Sequence, residues 1–554
     1  MERSPTYQQL YTSFRWNIPA RYNIAADVCD RHAADASKVA LIGEAADGKV
    51  WQLTFRDVQR KANQLANLLV SIELAKGDRV MLLLGQDPWT AIGHIACWKG
   101  GFVSVPVSVL FAADAVAYRL NHVNARIVIT DAANLETAAR AREQATEPVR
   151  LYVIDGHEPE AESLLDAIES ARDIFTNVDT AAEDPAFLNF TSGTTGNPKG
   201  ALQAHRSMLG HLPGAEFCLD FFPQPGDVMW SPADWAWLAG LMDVLMPAWY
   251  HGVPVLTFRA LRFDPEQAFA MIGRHQVRTT LLVPTMLRLM RQVPDPVRRF
   301  GTKLRAIYSG GEPVGKELLE WSTEVLNLPI NEVFGQTECN LVLGSNASVM
   351  PVKPGSIGRA IPGHLAAIVD DAGQPVPPGT IGNIGFRRPD PVMMLEYWRN
   401  EEATRDKYAN GWLLTGDLGT CDEDGYFWFQ GRADDVITSG AYRIGPAEIE
   451  DALARHPAVI MAAVIGVPDP VRTESIKAFV IVKAGIERSD ELADEIRSFV
   501  REHLAKHEVP REIEFVDALP MTTTGKIQRR KLREAARSNL RAYNGPSRTP
   551  SRPN

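Results

Sequence analysis

The stretch Thr191-Ser192-Gly193-Thr194-Thr195-Gly196-Asn197-Pro198-Lys199-Gly200 is the part of the sequence that decides the fold. It directly follows the apolar run 186–190, which predicts a buried strand. Small Thr, Ser and Gly residues do not pack a core, but their hydroxyls and bare backbone N–H groups bind polyanions, and Lys199 adds a positive charge. The stretch therefore predicts a phosphate-binding loop after a strand, with a flexible surface loop as the alternative. It lacks the G-x-x-x-x-G-K-[ST] pattern of P-loop enzymes.

The overall composition is that of a globular protein with more than one domain. The chain has 554 residues, which is too long for a single hydrophobic core. The formal charge of −10 argues against a nucleic-acid-binding surface. The N-terminus lacks a signal sequence and no apolar run reaches the length of a membrane span, so we expect a cytoplasmic protein without integral membrane association. Scattered cysteines without a C-x-x-C pair indicate reduced thiols: Cys29, Cys97, Cys218, Cys339 and Cys421.

Alternating strand and helix patterns dominate the first part of the chain. The apolar run 79–84 predicts a buried strand, the stretch 91–98 a helix, and the run 102–107 another strand. Such alternation predicts an α/β fold with parallel sheets covered by helices. Pro-Gly and Pro-Pro-Gly turns between 355 and 385 predict a small β subdomain. We therefore expect a large N-terminal domain, residues 1–432, made of mixed, mostly parallel sheets covered by helices, together with that subdomain.

A second, small and mobile α/β domain is predicted for residues 433–540. Pro446 suits the first turn of a helix that ends before Pro457, and Ser489 suits the N-cap of the next helix. Apolar strand patterns lie between these two helices. Residues 541–554 are rich in Pro, Ser and Arg and predict a disordered tail.

Further motifs, each weak alone, come after the first stretch in order. The Gly-Gly turn of 308–313 lets a planar base lie against the backbone, and Thr337-Glu338 offers a hydroxyl and a hard oxygen ligand suited to Mg²⁺. Asp417 lies between two turn glycines and can accept both hydroxyls of a ribose. Lys526 comes after three threonines and a glycine, in a loop that can deliver a positive charge to a developing negative one. The alternatives are a simple β–α turn for 308–313, a solvated loop for Thr337-Glu338 and an ordinary surface lysine for Lys526.

Taken together, the ordered motifs resemble those of the adenylate-forming (AMP-binding) superfamily over nearly the whole chain. The acetyl-CoA and medium-chain acyl-CoA synthetase branch is the most similar, because it shares Gly431-Arg432-Ala433-Asp434-Asp435 and the stretches 442–448 and 525–530. The resemblance implies an AMP-forming acyl-CoA synthetase, which is an acid–thiol ligase. In such an enzyme a carboxylate attacks the α-phosphate of MgATP, and the CoA thiol then displaces AMP from the acyl-AMP. Mg²⁺ is the implied cofactor, and ATP and CoA are the implied co-substrates.

The resemblance also implies roles for individual residues. Lys526 would stabilise the charge of the adenylation transition state, Thr337 would contact the α-phosphate, and Glu338 would hold Mg²⁺. Asp434 would be the hinge on which the small domain rotates between the two half-reactions. The other residues that would bind ATP are Thr191, Ser192, Gly193, Thr194, Thr195, Lys199, Gly311, Glu312, Pro313, Phe334, Asp417 and Arg432. Those that would line the CoA tunnel are Ser439, Gly440, Ala441 and Tyr442.

The acid-binding pocket is implied by analogy with the same branch. Acetate-specific relatives carry a Trp before the Gln-Thr-Glu motif, whereas this chain has Gly335, so we expect an open channel for several methylenes. Trp235 and Trp237 lie where the branch builds its pocket wall, with core packing as the alternative. Cys339 and Asn340, which follow the Gln-Thr-Glu motif, are expected to face the same pocket and to alter its polarity. The implied substrate is a short- to medium-chain acid, and an aryl acid remains open.

One departure from the family bears on CoA. Ala441 stands where many relatives carry Gly, and a side chain there is strained if the backbone needs a positive φ. An alternative with the same fold is a stand-alone adenylating enzyme that loads an acyl or aryl acid onto a carrier-protein thiol. A nucleotide-binding regulator without chemistry is the other alternative, and the presence of Glu338, Asp417, Arg432 and Lys526 argues against it.

Overall fold

The computed structural model describes residues 1–45, 48–191, 198–258, 263–432, 435, 437–439, 442–469, 473–505, 508–522 and 526–543. The strands of the N-terminal part, in chain order, are β1 (Val39–Glu44), β2 (Val50–Thr54), β3 (Arg79–Leu83), β4 (Val103–Pro106), β5 (Ile127–Thr130), β6 (Arg150–Val153), β7 (Glu162–Ser163), β8 (Pro185–Thr191), β9 (Lys199–Ala204), β10 (Met229–Trp230), β11 (Val255–Thr257), β12 (Thr279–Leu281), β13 (Ala306–Gly310), β14 (Ile330–Gln336), β15 (Cys339–Gly344), β16 (Arg359–Ala360), β17 (Ala366–Val369), β18 (Gly382–Arg387), β19 (Glu396–Tyr397), β20 (Tyr408–Ala409), β21 (Trp412–Cys421) and β22 (Phe427–Arg432).

Two large sheets organise these strands. One has the order β16-β15-β14-β13-β12-β10-β11-β1-β2 and is parallel from β14 to β1. The other has the order β19-β9-β8-β4-β3-β5-β6-β7 and is parallel from β8 to β7. The central parallel strands are almost fully buried, as is typical of sheets covered by helices. The predicted α/β architecture of mixed, mostly parallel sheets is confirmed.

Local sequence signals explain the helix boundaries. The helix over 88–100 begins with a cap in which the Asp87 side chain accepts from the Trp89 N–H, and it ends at Gly101 with a left-handed φ of 70°. The α-helices, in chain order, are α1 (Tyr7–Ser13), α2 (Phe55–Ser71), α3 (Pro88–Gly100), α4 (Ala113–Val123), α5 (Leu135–Glu143), α6 (Leu164–Glu169), α7 (Ser207–Cys218), α8 (Met246–Tyr250), α9 (Pro265–Arg274), α10 (Pro284–Met290), α11 (Pro296–Phe300), α12 (Lys316–Trp321), α13 (Glu401–Asp406), α14 (Pro446–Ala454), α15 (Asp490–His503) and α16 (Arg529–Tyr543). Short π-helical segments are Ala26–Asp30, Ala239–Leu245 and Ser322–Leu326, and Ala132–Asn134 is a 3₁₀ turn.

A small antiparallel sheet ends the N-terminal part of the chain. Its order is β17-β18-β21-β20, and the last strand, β22, also pairs with β21. The predicted β subdomain between 355 and 385 is thus only the beginning of this sheet, which continues to Arg432. The pairing of β21 with β22 places Asp417 directly opposite Arg432.

The C-terminal part has its own sheet and its own apolar clusters. The strands are β23 (Ile437–Ser439), β24 (Tyr442–Ile444), β25 (Val459–Asp469), β26 (Thr473–Val482) and β27 (Glu512–Phe515). Their order is β24-β23-β26-β25, with β27 parallel to β26. One apolar cluster includes Ile449 of α14 and Ile496 of α15, and a second includes Leu532 of α16. A separate core is what an independent domain requires.

The last helix differs from the expected tail. Residues 541–554 are predicted to be disordered, whereas α16 continues to Tyr543, because Arg541 and Ala542 are good helix formers that prolong it. Residues 544–554 lie outside the described residues. Within the described part of the chain, no helix is both long enough and apolar enough to cross a membrane.

Candidate active site

The β8–β9 hairpin carries both ends of the predicted phosphate loop. Thr191 pairs with Lys199 across the hairpin, and the Thr191 hydroxyl is 3.5 Å from the Lys199 carbonyl oxygen. The hairpin therefore brings Lys199 back beside the point where β8 ends. The predicted loop residues Ser192, Gly193, Thr194 and Thr195 lie outside the described residues.

Tyr397 links this hairpin to the Gln-Thr-Glu motif. It lies on β19, where it pairs with Ala201 of β9. The Lys199 ammonium lies 5.2 Å from the centre of the Tyr397 ring, and the Tyr397 hydroxyl donates to Oε1 of Glu338. Burial and the Glu338 carboxylate raise the pKa of Tyr397, so its hydroxyl keeps its proton and acts as a donor.

The Glu338 carboxylate fits a magnesium ion held jointly with phosphates. Glu338 is buried at the turn after β14, where its carbonyl oxygen accepts from the Met394 N–H at 2.9 Å. The described residues contain no group of three or more His, Cys, Asp or Glu side chains arranged to hold a metal ion. Because Mg²⁺ commonly takes only one or two protein carboxylates and fills its shell with phosphate oxygens and water, one such carboxylate suffices. Beside it, Thr337 is held by Gln203, whose Nε2 donates to the Thr337 carbonyl at 2.6 Å.

A polar network surrounds the predicted ribose ligands. One oxygen of Asp417 lies 3.4 Å from Nη1 of Arg432, and the other accepts from Nε2 of Gln336 at 2.5 Å. The Lys407 ammonium donates to Oε1 of Gln336 at 3.3 Å and to the Thr415 carbonyl at 3.0 Å. Burial lowers the pKa of Lys407 and raises that of Asp417, while the positive charges around Asp417 oppose its shift. The network fixes the part of β21 that carries Asp417, which the structure places within a strand rather than on a turn.

Lys526 reaches this site from the C-terminal part of the chain. A Cβ on Gly311 would lie 3.3 Å from Cε and 3.8 Å from Nζ of Lys526. Gly311 has a φ of 88°, which permits the turn after β13. Burial raises the pKa of Glu312 and of Asp417, and the Lys526 charge is close enough to lower both. The structure therefore brings Lys526, Gly311, Glu312 and Asp417 together.

The other residues predicted at the adenine site are Glu312 and Pro313, which follow Gly311, and Phe334 on β14. Glu312 is fixed by the Thr285 hydroxyl, which donates to its Oε2 at 3.0 Å, and by Arg288, whose Nη1 lies 3.6 Å from the same oxygen. Pro313 is the next residue and is half-buried. Phe334, also half-buried, lies with its ring 6.3 Å from that of Phe386.

The loop that carries Lys526 is tied to the C-terminal domain. The Thr522 N–H donates to the Lys526 carbonyl at 2.7 Å, and the Lys526 N–H donates to the Thr522 hydroxyl at 2.9 Å. Arg529, just beyond the loop, donates to both carboxylate oxygens of Glu450 on α14, at 3.1 and 2.6 Å. Asp435 lies 3.8 Å from Arg529 and accepts from Arg533 at 2.7 Å. These contacts join the loop, α14 and α16.

The two domains also meet through carboxyl groups. Asp451 of α14 accepts from the Lys316 N–H at 3.2 Å. A Cβ on Gly315 would lie 2.5 Å from Oδ1 of Asp451 and 2.5 Å from Oε2 of Glu317, so these two oxygens are near neighbours. Burial and the Asp451 charge raise the pKa of Glu317, although Arg288 opposes the shift. The contact is therefore favoured when this pair retains a proton.

Glu332 provides a test of the electrostatics behind this interface. It is 4% exposed in β14, and its Oε1 accepts from the Val314 N–H at 3.2 Å. Burial raises its pKa from 4.5 to about 8, and the carboxyls of Asp451 and Glu317 add to the shift. The folded state thus binds more protons than the unfolded state, so the stabilisation is fully present below the unfolded pKa and is lost as pH rises through about 8.

We expect Glu332→Gln to raise the melting temperature selectively at alkaline pH. The amide keeps the acceptor for Val314 but cannot ionise. Relative to the wild-type chain, the variant should gain about 1 kcal/mol or more at about pH 9, roughly 2 °C, and little at about pH 5. Melting curves across this range give the difference, and parallel curves for the two proteins would contradict the interpretation.

The predicted acid pocket is only partly supported by the geometry. Trp235 is 1% exposed and belongs to the central hydrophobic core, which agrees with core packing. Trp237 is half-buried and lies edge-on to Phe111, with ring centres 5.9 Å apart. Cys339 is fully buried in a cluster with Phe386, and its place in the acid pocket stays a prediction. Because side chains alternate along a strand, Asn340 points the other way.

Gly335 does not border an open channel in the direction of a side chain. A Cβ there would lie 2.5 Å from the backbone nitrogen of Leu341 and 2.6 Å from Oδ1 of Asn340. The turn after β14 brings the backbone of β15 against Gly335, so a channel for the acid would have to pass Gly335 in another direction, and its role stays a prediction. Leu341 itself has a φ of 50°, which marks the same tight approach.

The predicted CoA residues are only partly described. Ser439 is buried at the end of β23, where it pairs with Tyr442 and Thr473. Gly440, Ala441 and the predicted hinge residue Asp434 lie outside the described residues.

Comparison with known proteins gives the family. A model described as AMP-binding enzyme matches residues 29–398, and a model described as AMP-binding enzyme C-terminal domain matches residues 448–526. The chain belongs to the AMP-binding enzyme family. Its two matched regions correspond to the N-terminal part, with the phosphate loop, and to the C-terminal domain, with Lys526 at its end.

Individual members of the AMP-binding enzyme family are similar over nearly the whole chain. Acetyl-coenzyme A synthetase of Bacillus subtilis (strain 168) is 36% identical over 545 residues, which cover 95% of this chain and 94% of that protein. The mitochondrial acyl-coenzyme A synthetase ACSM3 of Mus musculus is 31% identical over 543 residues, covering 95% and 93%. The crystal structure of the anthranilate CoA ligase AuaEII in complex with anthranoyl-AMP has a TM-score of 0.88 at 30% identity, covering 94% and 99%. The predicted class, an AMP-forming acid–CoA ligase, is confirmed.

Sequence reasoning missed several residues of this AMP-binding enzyme that contact the predicted site. Tyr397 belongs to no sequence motif. It reaches Glu338 because β19 pairs with β9, the strand that follows the predicted phosphate loop. Lys407 and Gln203 likewise act through long-range contacts. Gln336 stands inside the Gln-Thr-Glu motif, and its position next to Thr337 was the one available signal.

Proposed function

We propose that this enzyme activates a short- to medium-chain carboxylic acid as its acyl-adenylate and then transfers the acyl group to CoA. The observation that carries the proposal is the position of Lys526 against Gly311, with its charge acting on Asp417 and Glu312. A cation delivered by the C-terminal domain to the nucleotide side of the N-terminal domain is what adenylation requires. Developing charge on the phosphates is best stabilised by a group already in place.

The residues at the site divide the first half-reaction among them. A carboxylate oxygen of the acid attacks the α-phosphorus of ATP, and the bond to the pyrophosphate oxygen breaks. Lys526 stabilises the negative charge that passes through the transition state, Thr337 contacts the α-phosphate, and Lys199 holds the outer phosphates. Asp417 and Arg432 hold the ribose. Glu338 would hold Mg²⁺, which would offset the negative charge of the phosphates when bound.

The second half-reaction needs Lys526 out of the way. The CoA sulfur attacks the acyl carbonyl, the bond to the AMP phosphate oxygen breaks, and the thiol proton is released to solvent. In the proposal, rotation about Asp434 removes Lys526 and brings Ser439 and Tyr442, with their neighbours Gly440 and Ala441, to the pantetheine path.

The size of the acid is proposed from relatives and from the half-buried Trp237. The relatives named for acetyl- and acyl-coenzyme A support an aliphatic acid, whereas the solved anthranilate CoA ligase supports an aryl acid as the competing choice. Trp237, edge-on to Phe111, is the aromatic wall that we propose limits the pocket.

A carboxylic-acid panel tests the proposed function. Purified enzyme is given MgATP, CoA and straight-chain acids from acetate to decanoate, branched acids, or aryl acids, and AMP, pyrophosphate and free thiol are measured. We expect stoichiometric AMP and pyrophosphate formation and thiol loss with an aliphatic acid longer than acetate. ADP as the nucleotide product, or no AMP with any acid, would refute it.

The carrier-protein alternative is separated by the same assay. Acid-dependent exchange of labelled pyrophosphate into ATP without CoA consumption would favour loading of a carrier-protein thiol. Exchange accompanied by thiol loss favours the CoA ligase.

Tyr397→Phe tests the role of the hydroxyl that orients Glu338. Removing a donor to a charged oxygen should lower kcat/KM for MgATP by roughly tenfold and raise the Mg²⁺ concentration needed for half-maximal rate. Tyr11→Phe is the matched control, because its hydroxyl donates to the His364 carbonyl, outside the proposed site. Equal effects of both changes would show that the hydroxyl of Tyr397 has no special role.

A further inference from the structure

Asp243 is a carboxylate placed in an apolar core. It lies in the π-helical segment Ala239–Leu245 and is only 3% exposed, between Met242 and Val244, which are fully buried. Charged side chains are rarely buried unless a cation or several hydrogen bonds compensate them. Among the described residues, Asp243 has no salt-bridge partner. A bare carboxylate here therefore needs an explanation.

Among the described residues, the side chain of Asn340 is the one hydrogen-bond partner of the Asp243 carboxylate. Nδ2 of Asn340 donates to Oδ1 of Asp243 at 2.7 Å. The Tyr308 hydroxyl also contacts Asp243, but it donates to the backbone carbonyl and makes no hydrogen bond to the carboxylate. Within the described part of the chain, Oδ2 of Asp243 has no hydrogen-bond partner, and it is not among the fully enclosed unpaired atoms, so it borders space that a small group can reach. A group left unpaired in this way is costly unless something else supplies the missing contact.

The Asp243–Asn340 pair lies beside the site that holds the reacting groups. Asn340 is half-buried, and its Oδ1 faces Gly335, which directly precedes Gln336 and Thr337. Tyr308 lies on β13, which leads into the Gly311 turn at Lys526. The pair is thus reached from the carboxyl ends of β13 and β14, the end of a parallel sheet where ligands bind. An acyl group attached to the α-phosphate beside Thr337 extends from there into the protein.

We propose that Asp243 and Asn340 form a polar end of the acyl site, and that the acid carries a hydroxyl or amino group that bonds to Oδ2 of Asp243. The inference rests on the proposed function and narrows its substrate class. A hydroxyl or neutral amino group can donate or accept, so it satisfies Oδ2 in either protonation state of the carboxyl. Burial raises the pKa of Asp243, and the Asn340 hydrogen bond opposes the shift. A purely aliphatic acid would leave the oxygen unpaired.

Matched acid pairs test the proposal. Straight-chain acids from butyrate to octanoate are compared with their terminal hydroxy and amino analogues, and benzoate with its ring hydroxy and amino analogues, by kcat/KM for AMP formation. We expect the best substituted acid to exceed its unsubstituted analogue by at least about tenfold, because a buried acceptor without its donor rejects the plain analogue.

Two variants locate the preference. Asp243→Leu is close in shape but apolar. It should abolish or reverse the preference for the substituted acid, measured as the ratio of the two kcat/KM values, while AMP formation with the unsubstituted acid persists. Asp243→Asn keeps a polar end and should retain the preference for the hydroxy acid, which guards against a folding defect in the leucine variant.

The outcomes separate this inference from the proposed function. If no acid of the panel yields AMP and pyrophosphate, the proposed function fails and this inference falls with it. If unsubstituted acids are activated at least as well as every substituted analogue, or if Asp243→Leu leaves the ratios unchanged, only the inference is overturned.

Discussion

Lys526→Ala should lower the rate of adenylation by about a hundredfold or more while leaving thioester formation from supplied acyl-AMP nearly intact. The Lys526 ammonium lies against Gly311 and acts on the carboxyls of Asp417 and Glu312. Loss of one such preorganised charge typically costs on the order of 3 kcal/mol in the transition state. Acid-dependent exchange of pyrophosphate into ATP measures the first half-reaction, and thiol loss with synthetic acyl-AMP measures the second.

Lys531→Ala is the matched control for this change. Lys531 is exposed on α16, only five positions along the chain, and should leave both half-reactions unchanged. Equal loss of the two half-reactions in Lys526→Ala would contradict the assignment, since it would indicate a general disturbance of the domain.

Glu338→Gln should reduce adenylation by a similar factor, about a hundredfold, and weaken its dependence on Mg²⁺. The amide can still accept from the Tyr397 hydroxyl, so the local packing is retained, but it lacks the anionic oxygen that a hard cation requires. Initial rates across a Mg²⁺ series at fixed ATP measure the effect. Calorimetric titration with ATP, with and without Mg²⁺, gives a second readout that does not depend on turnover.

Glu396→Gln serves as the control for Glu338. Glu396 is the exposed neighbour of Tyr397 on β19, so its replacement removes the same charge outside the site. An unaltered Mg²⁺ profile in Glu338→Gln would exclude this carboxylate as the metal ligand.

The parts of the site that are contiguous in sequence could be predicted, whereas the contacts that depend on folding could not. The Thr-rich stretch after β8 and the Gly-Gly turn after β13 can be recognised from their amino-acid composition alone. Tyr397 does not, because its place beside Glu338 depends on the pairing of β19 with β9, nearly two hundred positions away in the chain. Asp243 appears in the sequence only as an interruption of an apolar run.

The predictions for the acid pocket are limited by a common physical cause. Cys339 and Asn340 are adjacent, so sequence position alone does not say which one faces the pocket, and strand alternation turns Cys339 toward Phe386. Gly335 suggests space because it lacks a side chain, but a glycine also permits close approach of backbone, and here β15 fills the direction in question.

The Arg529–Glu450 contact has a consequence for the order of events in the reaction. The Lys526 N–H donates to the Thr522 hydroxyl, and Arg529, three positions later, is bound to Glu450 of α14. The backbone at Lys526 is therefore tied to the rest of the C-terminal domain. Movement of the Lys526 backbone away from Gly311 is therefore coupled to movement of α14 and α16. In the proposed mechanism, removal of the Lys526 charge after the first half-reaction and opening of the path for the thiol would then be one movement.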